Sequence, residues 1–315
     1  MTAPPEPGRA TGWTEQRERS SLWALRLMRF TAVHAGRRLA SCVLPVIALY
    51  FVAANGPARR ASRDYLGRVL GRPARWIEVY RHIHHFAASV LDRVYFLQDR
   101  LGEFDVLTTG HEGVVATLAH GDGALLVGAH IGSFEVLRAL GQSHGMKVAM
   151  LMYEDNARLI NAMLAAVAPD VQLQTIALGR PGAMLALRRW LDDGGLAGLL
   201  ADRTLPGHSG RSRTFALPFL GSPAPFSDGP FRLAAMLRRP VFFMAGLYRG
   251  GRRYELRFVE LADFREPVPA DQLDARIADV MRRYVAMLES LCREAPYNWF
   301  NFFDFWAGDA NTKAA

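Results

Sequence analysis

Hydrophobic and polar positions change rhythm along this chain. Near the start, Leu22, Leu25 and Met28 fall on one face and Arg26 and Arg29 on another, the spacing of a helix over 22–30. Residues 39–54 then form an apolar run without a charge, bracketed by Arg37, Arg38 and Arg59, Arg60. Helical spacing resumes over 59–105, with helices expected at 62–70 and 76–99. From residue 124 the pattern is different. Short apolar runs of strand length (124–129, 147–152, 171–177, 196–200) alternate with helical stretches near 134–141, 156–167 and 181–192. Continuous apolar strands separated by helices predict a largely parallel sheet covered on both faces. Two further runs, 241–247 and the alternating 254–259, predict neighbouring strands, and 271–294 predicts a long helix. The fold expected is α/β: a mixed, largely parallel sheet flanked by helices, with an N-terminal helical membrane-associating extension. Its divisions are a disordered N-terminus over 1–20, a membrane-associating helical segment over 21–58, and an α/β domain over 59–315.

Charge sharpens that division. Half of the 315 residues are hydrophobic and 22% are charged, an ordinary globular balance that excludes a wholly disordered chain. The formal net charge is +8, but residues 1–75 hold 13 arginines against 4 acids. Of the totals of 38 basic and 30 acidic residues, 25 and 26 are left for the remainder, which is therefore near neutral. A uniformly basic surface for nucleic acid is excluded. At about 1.5 Å per residue, the run 39–54 spans about 24 Å as a helix, short of the roughly 30 Å hydrocarbon core. Pro45 would kink it. Arginines at both ends suit a helix lying in, or dipping into, an anionic leaflet; a buried core helix with solvated ends is the alternative. A secretory signal fits poorly, because a long stretch precedes the run. Cys42 and Cys292 are too few and too scattered for a disulfide scaffold or a zinc site.

Ligands of parallel α/β sheets gather where strands end and helices begin. The first such junction holds His130 in a loop, with Gly132 permitting a tight entry and Glu135 five residues after the histidine. A histidine and an acid so placed can act as a base and its orienting carboxylate, provided His130 precedes the helix and Glu135 lies in its first turns. Spacing alone is unspecific; the strand–loop–helix setting carries the assignment. A second strand end holds Asp202 and Arg203, followed by a loop with Arg211 and Arg213. Asp202 could meet a polar substrate group, and the arginines either meet phosphate or are simply solvated. Residues 217–221 and 227–230 could build an apolar pocket with a rim. Other signals are weaker. Ser143 sits in a G-x-S-x-G string, but with a helix before it and a strand after, the reverse of a nucleophile elbow. Of His82, His84 and His85, only His82 and His85 share a helical face, and with no third ligand at metal spacing a partly exposed helix face is the expectation. The glycines Gly121 and Gly123 precede a strand instead of following one.

Together these blocks resemble the late acyltransferases of lipid A biosynthesis, within the lysophospholipid and glycolipid acyltransferase superfamily. The resemblance covers most of the chain: the basic start with its apolar segment, His130-x4-Glu135, the Leu178-Gly179-Arg180 block, Ala201-Asp202, and Phe219-Leu220-Gly221 with Gly229. It implies transfer of a fatty acyl group from an acyl carrier protein or coenzyme A thioester to a hydroxyl of a lipid or glycolipid. In that scheme His130 deprotonates the hydroxyl and Glu135 holds the imidazole, while Gly132, Ser133, Arg180, Asp202 and Arg203 are expected at the substrate. It implies neither metal nor cofactor, and places the enzyme on the cytoplasmic face of a bacterial inner membrane. Three features depart from the family. Its arginine ahead of the aspartate has no counterpart around Ala168-Pro169-Asp170. Arg203 replaces the usual glutamine. An aromatic ending, 297–306, stands where a basic one is expected, as membrane contact or as a core-covering tail. These departures leave the acceptor open among a glycolipid, an aminolipid and an aryl-polyene-type lipid. The rival readings are a non-catalytic component that binds acyl carriers or lipids, and a serine hydrolase acting through Ser143.

Overall fold

The computed structural model of the protein describes residues 22–153, 174–203, 213–306 and 313–314. Residues 1–21, the expected helix at 156–167, the stretch 168–170 and the loop with Arg211 lie outside the described residues. The opening is a helix with a break. In α1 (Leu22–Ala54), Gly36 leaves the helical region at φ 75° and ψ 165°, and Pro45 lies inside the second part. That part, Gly36–Ala54, is long and apolar enough to cross a membrane by length and composition, yet only 22% of its most apolar window is buried. Ala40, Leu44 and Ala48 are buried, while Leu39, Val43, Val46, Leu49 and Tyr50 stay exposed. α2 (Gly56–Leu70) follows, capped by the Asn55 side chain, which accepts from Ala58 N–H at 3.1 Å. α1 packs along α3 (Trp76–Leu97). The two are tied by Arg37, whose Nε and Nη2 donate to Asp92 at 2.7 and 2.9 Å, while Tyr254 Oη donates to the same carboxylate at 2.9 Å.

The body is a seven-stranded sheet. Its strands are β1 (Asp105–Thr109), β2 (Ala124–Gly128), β3 (Val148–Tyr153), β4 (Thr175–Leu178), β5 (Leu196–Leu200), β8 (Val241–Tyr248) and β9 (Arg253–Ala262). They lie in the order β1-β9-β8-β2-β5-β3-β4, and every pairing is parallel except β8 with β9. Helices α4 (Glu112–Ala119), α5 (Phe134–Ser143), α6 (Ala183–Asp192), α7 (Gly229–Leu237) and α8 (Ala270–Glu294) are the other described α-helices. This is the mixed, mostly parallel, helix-flanked sheet that the pattern predicts. β2 lies near its middle, and all five of its residues are buried.

Beyond the helix predicted to end at 99, Asp105–Thr109 form an edge strand, with β-branched Val106, Thr108 and Thr109 favouring extension. Residues 217–221 fall in an antiparallel hairpin of β6 (Thr214–Phe219) and β7 (Ser222–Ser227), with β10 (Lys313–Ala314) parallel beside β6. Pro218 lies beyond the two β6 residues that pair with β10, and its opposite number Pro223 is on the edge strand β7, a place that proline tolerates.

Candidate active site

The site is built by strand register. β2 and β5 are parallel neighbours with Gly128 opposite Leu200, and two residues beyond each lie His130 and Asp202. Asp202 is fully buried. Its Oδ1 lies 2.8 Å from His130 Nδ1, and its Oδ2 accepts the His130 backbone N–H at 3.0 Å. Trp299 Nε1–H and Asn301 Nδ2–H also donate to Oδ2, at 2.9 and 3.1 Å. An ionised carboxylate only accepts, so His130 Nδ1 carries the proton and Nε2 keeps a lone pair. Among the described residues no hydrogen bond occupies Nε2, and the side chain is 29% exposed.

Electrostatics favour a neutral imidazole over a charged carboxylate. Burial and the Arg203 cation hold His130 below the ordinary histidine value, against the upward pull of Asp202, and Arg93 adds to the lowering. Burial alone would raise Asp202, but the charge and hydrogen bonds of His130, with Arg203, hold it well below the usual carboxylate range. The pair is a base whose lone pair is available at neutral pH and whose protonated form has an anion beside it.

The expected contact between Glu135 and the imidazole is not made. Glu135 lies in the first turn of α5, is buried, and pairs with Arg93 of α3. Its Oε2 also accepts from Ser133 Oγ at 3.0 Å. The reason is direction: the start of α5 turns its acid toward α3, whereas Asp202 comes from the adjoining strand and occupies Nδ1.

The other expected substrate contacts have structural partners. Gly132, at φ 67°, donates its N–H to Asn298 O at 2.8 Å, and a Cβ there would lie 1.9 Å from Gly246 O. Only glycine permits that approach. Ser133 N–H donates to Gly246 O at 2.8 Å, and the side chain is buried. Arg203 Nε donates to Asn301 Oδ1 at 2.8 Å and its Nη2 to Phe300 O at 3.2 Å, with the guanidinium over the Phe303 ring. Arg180 follows β4, three strands from β2 in the sheet order, about 14 Å at roughly 4.8 Å per strand. Arg213 donates its N–H to Asp228 and pairs with Asp274 at 3.1 Å. Ser143 ends α5, its hydroxyl donating to Leu140 O at 2.8 Å.

Of the two readings of the aromatic tail, the structure shows the core-covering one over 298–301, and it adds donors to the site that the sequence did not indicate. Trp299, Phe300, Asn298 and Asn301 are buried, and Ile131 bridges Trp299 in antiparallel fashion. Phe300 N–H donates to His130 O at 2.7 Å. Behind it, His82 is fully buried with Nε2 2.8 Å from Trp299 O and Nδ1 2.9 Å from Ser62 Oγ. The carbonyl accepts, so Nε2 carries the His82 proton, and burial pushes this ring down to about 3. His82 braces the tail; among the described residues no group of three or more metal-ligating side chains exists. The available hint was chemical. Tryptophan and asparagine interleaved with phenylalanine need polar partners once buried.

His130 and Asp202, just beyond the ends of neighbouring parallel strands, set an imidazole with a lone pair on Nε2 beside a buried carboxylate. The family model described as "Bacterial lipid A biosynthesis acyltransferase" matches residues 86–307, and the chain belongs to that family. It is an acyltransferase of lipid biosynthesis. Among solved structures, the crystal structure of the 1-acyl-sn-glycerophosphate (LPA) acyltransferase PlsC from Thermotoga maritima aligns at 15% identity and a TM-score of 0.36. The alignment covers 80% of this chain and 98% of that one. No curated protein matches the sequence significantly.

Proposed function

We propose that this acyltransferase moves a fatty acyl group from an acyl carrier protein or coenzyme A thioester to a hydroxyl of a lipid or glycolipid. The observation that carries the reading is the His130–Asp202 pair with its open Nε2. His130 Nε2 takes the proton of the acceptor hydroxyl as the oxygen attacks the thioester carbonyl. The C–S bond then breaks, and the thiolate leaves with the proton returned by the imidazolium. Asp202 fixes the tautomer and stabilises the imidazolium formed in between. Arg203 and Arg93 add positive potential at His130, which favours its neutral, proton-accepting form. Glu135 acts at one remove, by holding Arg93 and Ser133.

The setting we propose is the cytoplasmic face of a bacterial inner membrane. The exposed apolar side chains of α1, with arginines at both ends of the run, support an interfacial helix over a buried one. With the protein folded and membrane-bound, His130→Ala is expected to lose about 10²–10⁴-fold in transfer rate. Undiminished transfer by that variant overturns the assignment. Mass spectrometry of lipids from cells with and without the gene identifies the acceptor and chain length.

A further inference from the structure

Asp202 is buried without access to water, so its donors decide where its charge sits. Oδ1 faces the imidazole, while Oδ2 collects three N–H groups, from the His130 backbone, Trp299 and Asn301. Two of the three come from the C-terminal tail. Resting on the acyltransferase reading above, we propose that Trp299 and Asn301 are positioning residues that hold Asp202 against the His130 base, making the tail a working part of the site.

The geometry separates this from simple core packing. Phenylalanine would fill most of the volume of Trp299, but it has no N–H to aim at Oδ2. Asn301 is used at both ends of its amide: Nδ2 donates to Asp202 while Oδ1 accepts from Arg203 Nε at 2.8 Å. The same side chain therefore steadies the carboxylate and the cation beside it. The backbone of this stretch is fixed independently. His82 Nε2–H donates to Trp299 O, Phe300 N–H donates to His130 O, and the Asn298 side chain pairs with both backbone groups of Tyr248 at 2.7 and 3.2 Å. A tail held at these points delivers its two donors with little freedom.

Removing a donor leaves Asp202 more basic, which favours the protonated form of His130 and blurs its tautomer. The test uses the full-length protein in detergent micelles with ¹⁵N-histidine, comparing wild type with Trp299→Phe, Asn301→Leu and Trp306→Phe. Trp306 belongs to the same tail, but its Nε1–H faces Phe219 O at 3.4 Å, so it controls for loss of an indole. Trp299→Phe is expected to raise the His130 titration midpoint by about one pH unit and to lower kcat about ten- to hundredfold, with KM little changed. Asn301→Leu should move both readings in the same direction, and Trp306→Phe neither. An unshifted His130 titration in both Trp299→Phe and Asn301→Leu overturns the proposal, as does an equal shift in Trp306→Phe. Should Trp299→Phe fail to fold, Asn301→Leu decides alone. The titration is read without turnover, so an absence of acyl transfer in the wild type would count against the reaction and not against the positioning.

Discussion

Asp202 and Glu135 are both buried carboxylates attached to the same loop neighbourhood, yet they belong to different regions of the molecule. Asp202 ends β5 and faces the imidazole, among N–H donors from His130, Trp299 and Asn301. Glu135 opens α5 and faces the cationic side chain of α3, with Arg93 and Ser133 as partners. The first has the surroundings of a group that stabilises a transient charge. The second has those of a helix-packing ion pair. A fixed spacing says which acid is near in the chain; the sheet register decides which acid reaches the base.

The largest expected effect falls on the strand end. Asp202→Asn keeps the shape but offers an N–H to Nδ1, which places the histidine proton on Nε2 and removes the lone pair; kcat should fall about 10³–10⁴-fold. A single-turnover assay of the purified variant reads this directly. The next effect concerns the helical layer. Leu39→Asp with Val46→Asp changes two exposed positions of α1. If that face meets lipid, vesicle binding should weaken by about a hundredfold or more, at roughly 1.5–3 kcal/mol per apolar side chain, while the unfolding midpoint stays within a few degrees. Unchanged vesicle binding would remove α1 as the contact.

Glu135→Gln should be milder. Arg93 is 39% exposed, so solvent screens the lost ion pair, and about 1 kcal/mol or less of stability is at stake. Transfer should stay within about tenfold of wild type. A further effect appears on titration. His82 has its folded value lowered to about 3 from an ordinary 6.5, so the fold holds it neutral while the unfolded chain takes up a proton. Stability from this site is therefore complete above 6.5 and declines as pH falls toward 3. Urea unfolding between pH 7.5 and 4 should show that decline, and His82→Gln, though less stable overall, should show a flatter one.

Much of the fold was legible because buried parallel strands are written as unbroken apolar runs: 124–129 and 196–200 correspond to β2 and β5 almost residue for residue. The helix over 271–294 was equally plain from its spacing. Apolar composition did not reveal burial, however. β2 is wholly inside, while the longer run in α1 is largely outside. His130 and Asp202 were both legible as strand-end residues, but their adjacency was not. It depends on β5 lying beside β2 although β3 and β4 intervene in the chain. The tail was the least legible. Its hydrogen bonds join residues 97 and 99 positions apart, and no local pattern encodes a partner at that distance.

The central claim is that Asp202, and not Glu135, is the acid that works through His130. It is tested most directly by measuring single-turnover acyl transfer for Asp202→Asn and Glu135→Gln side by side, under the same conditions and in the same membrane preparation. The account expects the first to be slower than the second by at least about a hundredfold, with Glu135→Gln close to wild type. An equal loss in both, or a larger loss in Glu135→Gln, would contradict it.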